Sequence, residues 1–70
     1  MNTLIKVNSI KIKELRIKRG WNIREFGEKS NVNFSIISRI ESGKSSPTPR
    51  TAKAIADALE IEFDEIFKIV

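Results

Sequence analysis

Apolar residues along this chain recur mostly at helical spacing, and little of it alternates as a strand does. Val7, Ile12 and Leu15 open the pattern, which predicts a first helix from an Asn8 cap to a terminal Gly20. Val7, just before the cap, is placed to pack on Ile12 as a hydrophobic staple. A second helix is predicted from about Ile23 to Ser30, capped by Asn22, and a third from about Phe34 to Ser42, capped by Asn33 and stopped by Gly43. Asn31 lies between them, and asparagine tolerates a left-handed backbone. The segment SGKSSP that follows is made of turn formers. Thr48 then caps a fourth helix, with Pro49 at the first position, where its missing N–H costs nothing. Ala54, Ile55, Ala58 and Leu59 form that helix's buried stripe. A short fifth helix, about Phe63 to Phe67, turns Ile66 inward. Before the first helix, Leu4, Ile5 and Val7 can form a short extended segment. The expectation is one all-α domain of five helices over residues 10–67, with tails at 1–9 and 68–70.

The most informative stretch is NIREFGEKSNVNFSIISRIESGK, Asn22 to Lys44. It reads as two short helices and a tight turn. The first offers Phe26 and the side-chain-free Gly27. The second buries Val32, Ile37 and Ile40 on one side and presents Phe34, Ser35, Ser38 and Arg39 on the other. Small polar groups beside an arginine suit a helix lying in the major groove of DNA.

Composition narrows the function classes. Cysteine and histidine are absent, which excludes a disulfide framework, a zinc finger, and thiol or imidazole catalysis. No paired carboxylates or glycine-rich phosphate loop point to an enzyme, and neither a cofactor nor a metal is expected. No apolar run approaches the roughly 20 residues of a membrane span, and no secretion signal is visible, so a cytoplasmic protein without membrane association is expected. A chain of this length buries only about 60% of its unfolded surface, so a partner subunit would help it. Charge is divided unevenly. Residues 1–53 hold twelve basic and four acidic residues, net +8, whereas residues 54–70 set Lys68 against five acidic residues, net −4. One end suits a polyanion and the other does not.

The order and spacing of several pieces carry a family resemblance: KELR at 13–16, Gly20, EFGEKSNV at 25–32, ISRIESGK at 37–44, Pro47, and IADALEIEFDEIF at 55–67. Together they resemble the Cro/C1-type helix-turn-helix domain of the XRE family of phage repressors and bacterial regulators, and the likeness spans residues 10–67. It implies a compact lambda-repressor-like fold with the third helix as recognition helix. By the same resemblance Phe34, Ser35, Ser38 and Arg39 take base-reading positions, and Asn22, Asn33, Lys44 and Ser45 take phosphate-contacting ones. Arg16 and Glu41 match a family ion pair whose role is structural. The chain departs from the family pattern at Ile23, where glutamine is usual, at Trp21 and Phe34, and at Glu60 and Glu62, where glycine or asparagine and a hydroxyl cap are usual.

The implied function is a sequence-specific regulator of transcription, a repressor that binds a pseudo-palindromic operator in double-stranded DNA as a homodimer. The other class is a protein-interaction module, such as an antitoxin or an antirepressor-controlled switch. For the dimer, Phe63, Ile66, Phe67, Ile69 and Val70 supply more apolar surface than one small helix needs, with Leu4, Ile5 and Val7 as a rival surface.

Overall fold

The computed structural model describes residues 4–70. In chain order they form β1 (Ile5–Val7), α1 (Ser9–Lys18), α2 (Ile23–Ser30), α3 (Phe34–Glu41), α4 (Pro49–Leu59), a 3-10 turn (Phe63–Glu65) and β2 (Phe67–Ile69). Side-chain caps fix where each α-helix starts. Asn8 Oδ1 accepts from the Lys11 N–H at 3.2 Å, and the Thr48 hydroxyl accepts from the Thr51 N–H at 3.3 Å. Asn22 and Glu25 make a reciprocal capping box: Asn22 Oδ1 accepts from the Glu25 N–H at 2.8 Å, and Glu25 Oε1 accepts from the Asn22 N–H at 3.0 Å. Left-handed residues follow all four α-helices, Gly20 after α1 and Gly43 after α3, and at the other two the residue is not glycine. Asn31 follows α2 and Glu60 follows α4, each at φ 57°.

The core is built from the inner faces of the helices. Ile12, Phe26, Ile37, Ile40, Ile55 and Leu59 are buried, with Ala52 and Ala56 filling in from α4. α2 packs on both α3 and α4, and α1 packs on α3. Each large apolar side chain so buried contributes about 1.5–3 kcal/mol. Among the described residues, no helix is long and apolar enough to cross a membrane.

The C-terminal end corrects the expected all-α, five-helix architecture: the described residues form four α-helices and a small two-stranded sheet. The expected fifth helix ends after one 3-10 turn, and Glu62 at its start makes no side-chain cap. The chain then extends, and β2 pairs antiparallel with β1 in the register Ile5–Ile69, Lys6–Lys68, Val7–Phe67. The Asn8 N–H donates to the Ile66 carbonyl at 2.8 Å and the Val70 N–H to the Leu4 carbonyl at 2.9 Å, extending the ladder at both ends. Ile66, Phe67, Ile69 and Val70 are aromatic or β-branched, a composition that fits a strand as soon as a partner strand is available. The expected N-terminal tail thus holds β1, and β2 takes Phe67 from the expected fifth helix together with Lys68 and Ile69 from the expected C-terminal tail; residues 1–3 lie outside the described residues.

This pairing also corrects part of the expected dimer surface. Ile66 and Phe67 are buried in the monomer's own core, as is Ile5 from the rival surface. Phe63 is half-buried and packs at 5.0 Å, centroid to centroid, on Phe67. Ile69 and Val70 stay exposed, and the register brings them beside the exposed Leu4.

Candidate nucleic-acid interface

The turn between α2 and α3 is as tight as the backbone allows. The Val32 N–H donates to the Gly27 carbonyl at 3.0 Å, while the left-handed Asn31 reverses the chain. A Cβ on Gly27 would stand 2.8 Å from the Val32 carbonyl oxygen and 3.3 Å from the Phe34 nitrogen. The absence of a side chain there lets the start of α3 lie directly against α2.

α3 then turns Ile37 and Ile40 inward and leaves Phe34, Ser35, Ser38 and Arg39 exposed on its outer face. These four side chains share one open groove, of about 570 Å³, with Asn22, Ile23 and Arg24 from the start of α2. The groove brings all four expected base-reading residues together with one expected phosphate contact, Asn22. Asn33 lies at the head of α3, outside that groove. Its side-chain oxygen is occupied by the Ser35 N–H at 2.9 Å and the Ser35 hydroxyl at 2.7 Å, so its amide NH₂ is what it has to offer an acceptor. Lys44 and Ser45 lie on the loop after α3, Lys44 exposed and Ser45 half-buried, away from the groove.

Arg24 is a member of the groove that the family pattern does not single out. Its guanidinium carbon stands 5.1 Å from the centre of the exposed Phe34 ring, a cation–π contact between α2 and α3. The sequence carries one signal for it. Arg24 sits in the first helical turn, where a cation opposes the helix dipole, and a residue placed against that preference invites a search for what it faces.

Behind the groove, α3 is held from its far end. Arg16 Nε donates to Glu41 Oε2 at 2.8 Å and Nη2 to Oε1 at 3.1 Å, a two-pronged pair with side chains only 10% and 6% exposed. The third guanidinium nitrogen donates to the Trp21 carbonyl at 2.8 Å. The Ser9 hydroxyl donates to the Ile40 carbonyl at 2.8 Å and ties α1 to the same turn of α3. Trp21, half-buried, stacks on Phe26 with ring centres 5.8 Å apart, and Arg19 lies over its other side and donates to the Leu59 carbonyl. Among the described residues every buried side-chain nitrogen and oxygen has a partner. The outer face of α3 thus rides on a scaffold with no loose polar groups beneath it.

Two short helices around a left-handed turn, the second presenting a polar, arginine-bearing face from a braced scaffold, define a helix-turn-helix domain of the DNA-binding class. The comparisons name the family. The helix-turn-helix model HTH_3 matches residues 12–66, and the chain belongs to that family. Its relatives include SutR, an HTH-type transcriptional regulator of Escherichia coli (strain K12), 35% identical over 63 residues. That match covers 90% of this chain and 35% of SutR, so the chain spans about a third of that relative's length. The crystal structure of an HTH_3 family transcriptional regulator from Vibrio cholerae superposes with a TM-score of 0.72 at 34% identity, over 79% of this chain and 31% of that one. The wild-type restriction-modification controller protein C.Esp1396I superposes with a TM-score of 0.71 at 30% identity, over 81% of this chain and 77% of that one.

Proposed function

We propose that this chain is a transcriptional repressor that binds a pseudo-palindromic operator in duplex DNA as a homodimer, with α3 in the major groove. The observation that carries the reading is the groove that gathers Phe34, Ser35, Ser38 and Arg39 with Asn22 and Arg24 on one exposed face. Arg39 is the natural partner for the O6 and N7 acceptors of a guanine, and Ser35 reaches a base edge without selecting strongly. Lys44 and the amide groups of Asn22 and Asn33 meet phosphates, which fix register without reading sequence. The net +8 of residues 1–53 supplies the long-range attraction, and the acidic residues are concentrated in 54–70.

Selection of bound duplexes from random DNA tests this directly, since it reports binding, sequence and half-site spacing together. With about six phosphate contacts, affinity is expected to fall about a thousandfold between roughly 50 and 200 mM salt. Arg39→Ala is expected to cost about 1–3 kcal/mol and to relax one base position, whereas Lys44→Ala weakens all sequences alike. A flat salt response overturns the DNA reading; loss of affinity in Arg39→Ala with unchanged base preference overturns Arg39's role.

A further inference from the structure

We propose that the groove between the start of α2 and the outer face of α3 is a receptor for the 5-methyl group of a pyrimidine, so that each half-site is recognised in part through one thymine or a 5-methylcytosine in its place. The inference rests on the DNA-binding reading above and adds what the groove selects.

Phe34 is 46% exposed at the head of a helix whose other outward groups in the groove are Ser35, Ser38 and Arg39. A phenyl ring has no hydrogen bond to offer a base edge. Ile23, half-buried, lines the same groove from the first turn of α2. Ile36, the remaining exposed apolar residue of α3, lines a different concavity beside α4, with Arg50, Thr51 and Ala54, so it does not belong to this site. Arg24 holds its guanidinium 5.1 Å from the Phe34 ring centre and covers one face of the ring. That contact orients the ring and puts a cation in the groove, where it can also meet a phosphate. The groove therefore combines two apolar groups, Ile23 and Phe34, with two cations, Arg24 and Arg39. In the major groove of duplex DNA nearly every exposed base atom is a hydrogen-bond donor or acceptor, and the apolar exception is the methyl on C5 of thymine. Methylation of cytosine puts the same group at the same place. A mixed apolar and cationic groove on the recognition face matches that chemistry and leaves the hydrogen-bonding work to Ser35, Ser38 and Arg39.

The test uses the whole chain and the strongest duplex recovered by selection. Each thymine of a half-site is replaced singly by uracil, which removes the methyl and keeps every hydrogen-bonding atom. Burying one methyl group corresponds to about a fourfold change in affinity. The expected result is one position per half-site where uracil weakens binding by about that factor. At that position, 5-methylcytosine is expected to bind more tightly than cytosine by a similar factor, which separates the two sources of the methyl. Phe34→Ala should bind thymine and uracil equally there, and because Phe34 is exposed the variant's helical content should match the wild type. Equal affinity of the wild-type protein for thymine and uracil at every position overturns the inference, as does a Phe34→Ala variant that keeps the full discrimination. A protein that retains no duplex at all overturns the DNA reading together with it, whereas tight binding that tolerates uracil throughout overturns the methyl receptor alone.

Discussion

A methyl group added to Gly27 has no room, because the atoms it would meet are the Val32 carbonyl and the Phe34 backbone. Neither can move without shifting the start of α3. Gly27→Ala is therefore expected to destabilise the domain by about 1–3 kcal/mol, as overpacking does. A drop in melting temperature of about 4–8 °C for each kcal/mol is the measurement; an unchanged melting temperature would show that the two helices can separate at no cost. At this scale much was legible before the structure. Asn22, Asn33 and Thr48 are residue types that cap helices, and each does so. The departures at Glu60 and Glu62 also had local meaning. Glu60 adopts the left-handed conformation that glycine or asparagine takes at least cost, and Glu62 forms no side-chain cap. The pairing of Arg24 with Phe34 was not legible, because it joins two helices across a turn and no local pattern encodes a contact between them.

One ion pair joins elements that lie far apart in the chain. Arg16 and Glu41 lie 25 residues apart and join α1 to the last turn of α3 while nearly excluded from water. Arg16→Met leaves the Glu41 carboxylate buried without its partner, and is expected to cost about 3–5 kcal/mol. The double variant Arg16→Met with Glu41→Leu should recover most of that loss, since an apolar pair of similar volume removes the stranded charge. Denaturant titration of the single and double variants decides it; equal losses in both would mean that the pair's worth lies in its hydrogen-bond geometry. The element that resisted reading was the last. Phe63, Ile66 and Phe67 stand at helical spacing, which fits one face of a helix as well as the turn-and-strand that forms. What decides between them is β1, at the opposite end of the chain, and periodicity within a window cannot see a partner so far away.

The whole molecule divides its charge along the chain, net +8 over residues 1–53 and net −4 over residues 54–70, and carries an exposed apolar edge at the end of its sheet. The edge is the end of the sheet, where Leu4 and Val70, each 53% exposed, lie opposite one another and Ile69, 63% exposed, is the next residue along β2. Glu60, Glu62, Asp64 and Glu65 precede β2 in the chain and make the C-terminal segment acidic. We expect this edge to form the homodimer's twofold contact, setting the two recognition helices about 34 Å apart on successive major grooves. Ile69→Asp alters an exposed position and should leave the fold intact while shifting sedimentation from dimer to monomer. A wild-type protein that sediments as a monomer at high concentration, and occupies one half-site singly, would overturn the arrangement.

The sheet that gathers this edge also decides how the domain would answer to force. β1 and β2 run antiparallel, so Leu4 and Val70 lie side by side at the same end of the ladder. Tension applied between the two ends pulls across the strands, and the load falls on one rung at a time. The bond from the Val70 N–H to the Leu4 carbonyl opens first and the Ile5–Ile69 pair next, before any pull reaches α1. The clasp behaves as a zipper and not as a shear joint, and the helix-turn-helix carries no strain until it has opened.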